Sequence, residues 1–464
     1  MNNVMQAKTM CAGAALSDIT PVMGIQIAGD IGRYRPVEEI RDPLYARALV
    51  IETDGKRVCW LSLDILLISR KWTNIIKCQA AERYGLDPDA VMVHTVQNHA
   101  APSVGHFFVF NEDDWSLFPK EYPWLLGGDD RYNPVVINGV MDAIGKAIAD
   151  IQPVTVEIGR GVDGRVAFNR RFIMRDGTGR THPTPCDPNI LYCEGPVDPE
   201  VGVITFTAEN GRVLAAVLHH TCHPVHGYPE RWISAGWPTA WCDGVRGILG
   251  DDCVTMVVNG FCGNIHQRNH LDPNYVDDYK DMGRKLTETA SSVLKQMVPM
   301  DSPMLDWKVQ SLQIPLCMPT DEELADARNL LKEYPEPMWT DESRTAVAWD
   351  WVYAVNRIDL AENVNRTPFF DYPIQVFRLG NTALVSVPGE PFVEEQLRIK
   401  LASPAAFTFT AHMSTTYVGY LPTLEAFQHG GYETRTGAGS KLTTEALTMV
   451  GDAVIAMLKK LFVV

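Results

Sequence analysis

Four of the twelve histidines stand together in His219-His220-Thr221-Cys222-His223-Pro224-Val225-His226, directly after an apolar run. Neutral imidazole offers a lone pair close to neutral pH, so a strand that opens into such a loop suits a metal ion. Pro224 keeps His223 out of the helical region and presents its ring in a set direction. His219 and His220 read instead as hydrogen-bonded core or rim residues. Three further segments bring compatible chemistry. Gln97-Asn98-His99-Ala100-Ala101-Pro102 offers another imidazole among small neighbours that leave room for a substrate. Pro388-Gly389-Glu390-Pro391 places a carboxylate between an apolar strand and a helix expected to start at Pro391. Tyr417-Val418-Gly419-Tyr420 and Gly430-Gly431-Tyr432-Glu433 set tyrosines beside glycines. Together these residues suit a bound cation beside a substrate.

The elements that position them are legible from hydrophobic pattern and punctuation. Apolar runs at 44–53 and 57–67 flank Thr53-Asp54-Gly55 and predict a hairpin. Helical spacing over 72–83 ends at Gly85, and a short strand follows at 90–93. A second helix is predicted over 133–150, and strands over 155–158, 201–207, 213–219 and 254–258. Thr320-Asp321-Glu322-Glu323 forms a capping box for a helix over 321–334. An aromatic, proline-rich connection is expected around 339–351, then a hairpin over 374–388 turning at Gly380-Asn381, and a final amphipathic helix over 454–464. Between 107 and 131, Trp115, Phe118, Tyr122 and Trp124 stand among prolines and glycines. Such a loop serves either as a lid over a site or as a surface segment packed on its own aromatics. The fold class is α+β (mixed α/β), with mixed β-sheets flanked by helices in one unit spanning 1–464.

Composition narrows the function. With 46% hydrophobic residues, 464 positions suffice for a large core. A formal charge of −16 without a basic run argues against nucleic-acid binding. Nothing approaches the ~18 consecutive apolar residues of a membrane span. The first residues lack the basic and apolar blocks of a secretory signal, and the ten cysteines show no C-x-x-C spacing, so reduced thiols and a cytoplasmic location are expected.

The ordered set of motifs resembles the catalytic domain of the neutral/alkaline (non-lysosomal) ceramidase family. It runs from Asp18-Ile19-Thr20-Pro21 and Asp42-Pro43-Leu44-Tyr45-Ala46-Arg47-Ala48 through Leu63-Asp64, the His99 loop and Ala167-Phe168-Asn169-Arg170-Arg171. It continues through the His223 loop, Ser234-Ala235-Gly236, Asn259-Gly260-Phe261-Cys262-Gly263-Asn264, Pro388-Gly389-Glu390 and Gly419-Tyr420. The resemblance implies a ceramidase-like catalytic domain without that family's C-terminal immunoglobulin-like domain. It implies a zinc ion that activates a water against an amide carbonyl, with His223, Glu390 and Tyr420 as ligands. Gln97 stands where the family carries its first zinc-binding histidine. Three outcomes stay open there: Gln97 binds through its carbonyl oxygen, His99 enters the ligand set, or a different metal is used. Manganese or another divalent metal is the alternative to zinc, because oxygen donors favour harder ions. By the same matching Arg170 stabilises the oxyanion, Tyr432 hydrogen-bonds the substrate, and His99 shuttles a proton. The family's Asp and Ser positions are Asn264 and His266 here, and His266 is a candidate acid, base or extra ligand.

The expected function is metal-dependent hydrolysis of an amide bond in a small or amphiphilic substrate, with no nucleic acid, no membrane span and an option of homo-oligomers. Two alternatives stand beside it: an esterase, lactonase or carbohydrate-derivative hydrolase using the same site, and a non-catalytic ligand-binding relative.

Overall fold

The computed structural model of the protein describes residues 9–30, 32–107, 110 and 117–462. Strands Val254–Asn259, Val213–His220, Glu200–Ala208, Gln152–Val162, Cys11–Asp18, Tyr45–Thr53, Lys56–Leu63 and Val91–Thr95 lie side by side in that order. Val298–Pro299 joins alongside Gln152–Val162 to complete a nine-stranded sheet. The pairing is antiparallel except at the two ends, where Val213–His220 runs parallel to Val254–Asn259 and Lys56–Leu63 runs parallel to Val91–Thr95. A four-stranded sheet orders Leu305–Pro315, Phe369–Leu379, Thr382–Ser386 and Phe407–Ala411, with only the last pair parallel.

Side-chain alternation along the strands builds four layers. Val50, Cys59, Leu61 and Val93 face helices Arg70–Tyr84 and Asn133–Ala149, burying Ile76, Ala80, Val136 and Ile144 against them. Ala216, Leu218 and Val257 face helices Trp237–Leu249 and Tyr279–Leu294. The opposite face of the large sheet, including Leu49, Ile51, Trp60 and Met92, packs on Phe377, Leu384 and Phe409 of the smaller sheet. Helix Ala446–Phe462 covers the smaller sheet's outer face through Val450, Val454 and Leu458. A sheet buried on both faces needs apolar residues at nearly every position, which is why its strands read as continuous hydrophobic runs. Trp60 and Phe377 meet edge to face at 6.0 Å between the sheets. Truncating Trp60 to alanine would cost about 3–5 kcal/mol.

The predicted hairpins form at Asp54-Gly55, where both residues adopt positive φ, and at Gly380-Asn381. Gly85 caps the helix Arg70–Tyr84 in the left-handed conformation, and the capping box of Thr320 and Glu323 opens Asp321–Glu333. Two expectations require correction. The connection predicted around 339–351 holds through residue 348, but its last three residues open helix Trp349–Arg366, which buries Trp351, Val352, Ala354, Val355, Asn356, Leu360 and Ala361 around its girth. A helix buried on several sides has no single apolar stripe to reveal it. Pro391 does not start a helix: Glu390–Pro391 pairs with Tyr420–Leu421, and the helix begins at Val393. The Pro391 carbonyl is taken by the Gly263 N–H, and the Phe392 N–H by the Leu421 carbonyl, which holds this stretch extended.

Of the aromatic loop, Phe118 packs on Trp351 and both Tyr122 and Trp124 pack on Trp339. These three rings serve the packing option. Trp115, and with it the central part of the lid reading, lies outside the described residues. All ten cysteines are free, and no described helix is long and apolar enough to cross a membrane.

Candidate active site

Parallel pairing brings strand ends together. The segments after Thr95, His220, Asn259, Ser386 and Ala411 meet where the two sheets touch. Asn259 clamps three of them. Its side chain accepts from the Cys222 N–H at 3.1 Å and donates to the carbonyls of Cys222 and Val96 at 2.9 and 3.1 Å. The His99 N–H donates to the Pro224 carbonyl, tying the two histidine loops to each other. Arg35, fully buried, spreads its guanidinium over the carbonyls of Ala28, His99, Gly227 and Glu230 at 2.7–3.3 Å.

At the centre, His223 Nε2 lies 2.9 Å from Glu390 Oε2. His223 Nδ1 lies 3.0 Å from the Ile265 carbonyl, which only accepts, so Nδ1 carries a proton and Nε2 is the nitrogen turned to the carboxylate. An imidazole whose far nitrogen is pinned to a carbonyl is the usual support of a metal-binding histidine. Tyr417 donates to Glu390 Oε1 at 3.3 Å, and Gln97 also hydrogen-bonds the carboxylate. Burial alone would raise the Glu390 carboxyl, but His223, Arg170 and Gln97 outweigh it and hold the group at about 2. Gln97 has φ of 66°, a left-handed conformation uncommon outside glycine and typical of strained functional positions.

His99 faces His223 with ring centroids 5.9 Å apart. Both its ring nitrogens are buried without a hydrogen-bond partner, and burial followed by the His223 charge lowers it to about 3. A buried imidazole with two unsatisfied nitrogens is costly unless a ligand or substrate uses them. Among the described residues no three His, Cys, Asp and Glu side chains converge in a metal-holding group. Gln97, whose side-chain oxygen lies 2.8 Å from His412 Nε2, and Tyr420 stand beside the His223–Glu390 pair. With these two as oxygen donors the set would suit a divalent cation, with harder character than a histidine-rich one.

Tyr420 is brought to Glu390 by the parallel pairing of Glu390–Pro391 with Tyr420–Leu421. Its ring lies 5.4 Å from the Arg170 guanidinium and 5.6 Å from the Tyr432 ring. Arg170 donates to Glu433 Oε1 at 2.9 Å and to the Gly263 carbonyl at 2.7 Å. Burial opposes its charge, yet Tyr420, Glu433 and Glu390 keep the guanidinium firmly protonated. Arg171 Nη1 donates to the other Glu433 oxygen at 2.7 Å, so one buried carboxylate holds two guanidinium groups. Burial raises the Tyr432 phenol, which therefore stays protonated.

His223, Glu390, Tyr420, Gln97, His99, Arg170 and Tyr432 thus come together from six loops. His266 sits on the flank, its backbone bridged to His223 and its ring 4.5 Å from that of His182. His219 and His220 are core residues: His219 stacks on Phe409 and His220 packs against Trp237 and Trp241. Sequence reasoning missed His412, Tyr417, Glu433, Arg35 and His182. Tyr417 and Glu433 lie inside motifs already singled out. His412 follows an apolar strand as His223 does, but it stands alone and gives no cluster to notice.

No protein-family model matches the sequence. A stretch of 187 residues, 39% of this chain, is 23% identical to neutral ceramidase of Pseudomonas aeruginosa and spans 24% of that protein. The crystal structure of neutral ceramidase from Pseudomonas aeruginosa superposes with a TM-score of 0.73 at 18% identity, covering 98% of this chain and 75% of the other. A ceramidase complexed with C2 gives a TM-score of 0.72 at 16% identity, with the same coverage of 98% and 75%. The chain thus shares the fold of neutral ceramidase and is similar to that protein over part of its sequence.

Proposed function

We propose that the chain is a metal-dependent hydrolase that cleaves the amide bond of a small or amphiphilic substrate. The observation that carries this reading is the His223–Glu390 contact of 2.9 Å, with Nε2 of a pinned imidazole turned to a buried carboxylate. His223 and Glu390 would hold a divalent cation together with Gln97 and Tyr420 as oxygen donors. Zinc is the first candidate and manganese the second. Once bound, the metal lowers the pKa of a water from about 15.7 towards 7 and polarises the substrate carbonyl.

The chain's own groups do the rest. Arg170, held by Glu433 and Gly263, offers a fixed charge to the oxyanion as the carbonyl is attacked. Removing one such donor typically costs about 10²–10³ in rate. Tyr432, protonated and beside Tyr420, donates to the same intermediate or to the bound substrate. Neutral His99 accepts the water's proton and returns it to the departing amine. His266 lies at the polar edge, placed to assist that transfer.

Elemental analysis of the purified protein, followed by hydrolysis of paired N-acyl amides and esters with zinc or manganese, tests the reading. Stoichiometric metal that is lost together with activity in His223→Ala is the expected result. A protein that takes up neither metal, or a His223→Ala variant that keeps both metal and turnover, overturns it.

A further inference from the structure

Two cavities meet at the reacting groups and share Gly29, His99, Tyr420 and Tyr432. The first is small, about 70 Å³, and runs from Gln97 and Glu390 into a pocket walled by Leu66, Leu67, Phe107, Met413 and Tyr417. Leu66, Leu67, Phe107 and Met413 form one buried cluster, each at most 6% exposed. A water-sized group needs roughly 10–15 Å³ of such space, so the pocket holds on the order of five or six heavy atoms.

The second cavity is larger, about 520 Å³, and its wall carries His182, His266 and His270. The Arg268 N–H donates to His266 Nδ1 at 3.0 Å, which assigns the proton of the neutral ring to Nε2. His182 Nδ1 and His270 Nε2 lie 3.3 Å apart, one donating to the other, and His270 Nδ1 is buried without a partner. His182 holds its ring in this group from a left-handed backbone with φ of 50°. Neutral imidazoles present donors and acceptors side by side, which is what hydroxyl groups require. Arg170 and Arg268 stand in the same wall with one carboxylate, Asp277, and this balance opposes a second cationic centre. Trp349 and Tyr228 flank the cavity with aromatic rings on which the faces of a sugar ring can rest.

Resting on the amidase reading above, we infer that the substrate is a short-chain N-acyl derivative of a neutral, hydroxyl-rich amine. Its acyl group of up to about six carbons enters the Leu66–Met413 pocket, and its hydroxyls face His182, His266 and His270. Hydrolysis adds the elements of water across the C–N bond, releasing a short carboxylic acid and the free amino polyol or amino sugar.

The test uses the metal-loaded protein and N-acetyl, N-butanoyl, N-octanoyl and N-palmitoyl glucosamine, with N-acetyl hexylamine as the amine lacking hydroxyls. Turnover and calorimetric binding are measured separately. Expected are kcat/KM values that fall at least about 100-fold from the acetyl or butanoyl to the palmitoyl compound, and a preference of about tenfold or more for glucosamine over hexylamine. His182→Asn, which tolerates the left-handed backbone, should lower that preference, and Leu67→Ala should extend the accepted chain towards octanoyl. Turnover of palmitoyl and acetyl compounds at equal efficiency overturns the inference and leaves the amidase reading intact. Binding that discriminates acyl length and hydroxyls without hydrolysis of any member sustains the inference and overturns the amidase reading.

Discussion

His412 Nε2 lies 2.8 Å from the Gln97 side-chain oxygen, while its Nδ1 lies 3.0 Å from the main-chain oxygen of Asn259. The Asn259 carbonyl accepts only, so the His412 proton belongs on Nδ1. Burial, with the nearby His94, lowers the ring to about 3, so it is neutral and its Nε2 accepts. An accepting Nε2 calls for the amide nitrogen of Gln97, and a half-turn of the amide supplies it. That turn would exchange the amide N–H that meets Glu390 here for the Gln97 oxygen, an arrangement that a bound cation would satisfy. On the proposed reading, His412 is what makes Gln97 an oxygen donor.

Gln97→Ala is therefore expected to weaken divalent-metal affinity about 10–100-fold. Gln97→His should shift the zinc-to-manganese preference towards zinc, because it replaces a hard oxygen by imidazole nitrogen. Calorimetric titration of the stripped protein with each metal checks both. Unchanged affinities in both variants would show that Gln97 takes no part in binding the metal.

Glu433 lies between Arg170 and Arg171 with no solvent exposure. Glu433→Gln removes the charge and leaves two buried guanidinium groups sharing a neutral amide. A loss of about 3–5 kcal/mol is expected, read from denaturant midpoints. A variant within about 1 kcal/mol of the parent would mean that the remaining partners, the Gly263 carbonyl for Arg170 and the Glu194 carboxylate and Gly430 carbonyl for Arg171, suffice.

The fold was largely legible because a sheet buried on both faces writes itself as apolar runs, and because Gly85 and the Thr320–Glu323 box punctuate their helices. Asn259 shows why motif residues were easier to find than their roles. Its side chain holds loops rather than touching the reacting groups, and only the structure separates those tasks. His412 and Arg35 were invisible for another reason. Their work is done on Gln97 and on the His99 loop, which are distant in sequence. Helix Trp349–Arg366 escaped because burial around its girth erased the period.

His94 predicts how stability depends on pH. Its Nδ1 donates to the His412 carbonyl at 2.7 Å and its Nε2 accepts from the Asn259 N–H at 3.1 Å, so the neutral ring is fully used. Burial lowers it from an ordinary 6.5 to about 4. Between those values the unfolded chain binds more protons than the folded one, so the contribution is complete above pH 6.5 and is lost as pH falls towards 4. The loss amounts to about 3 kcal/mol. Denaturation curves from pH 7 to 4.5 should show this slope in the parent and a shallower one in His94→Gln. Parallel curves would assign the acid sensitivity elsewhere.

Gly29 predicts how closely the candidate base is held. Its φ is +91°, and a Cβ built there would stand 2.6 Å from His99 Nδ1. In Gly29→Ala the methyl group and the imidazole cannot both keep their places, and the left-handed backbone adds about 1–2 kcal/mol of strain. The His99 loop is anchored independently, since its N–H bonds Pro224 and its carbonyl receives Arg35. The side chain, rather than the backbone, therefore gives way, and the ring turns out of the space shared by the two cavities. On the amidase reading, turnover should fall about 100-fold, since displacing a reacting group by 1 Å costs on that order. Stability should fall by no more than about 3 kcal/mol, and metal content should stay unchanged, because His223 and Glu390 are untouched. Activity and elemental analysis on the same preparation decide the matter. Full activity with a shifted His99 ring would remove this histidine from proton transfer, while loss of metal would place it among the ligands.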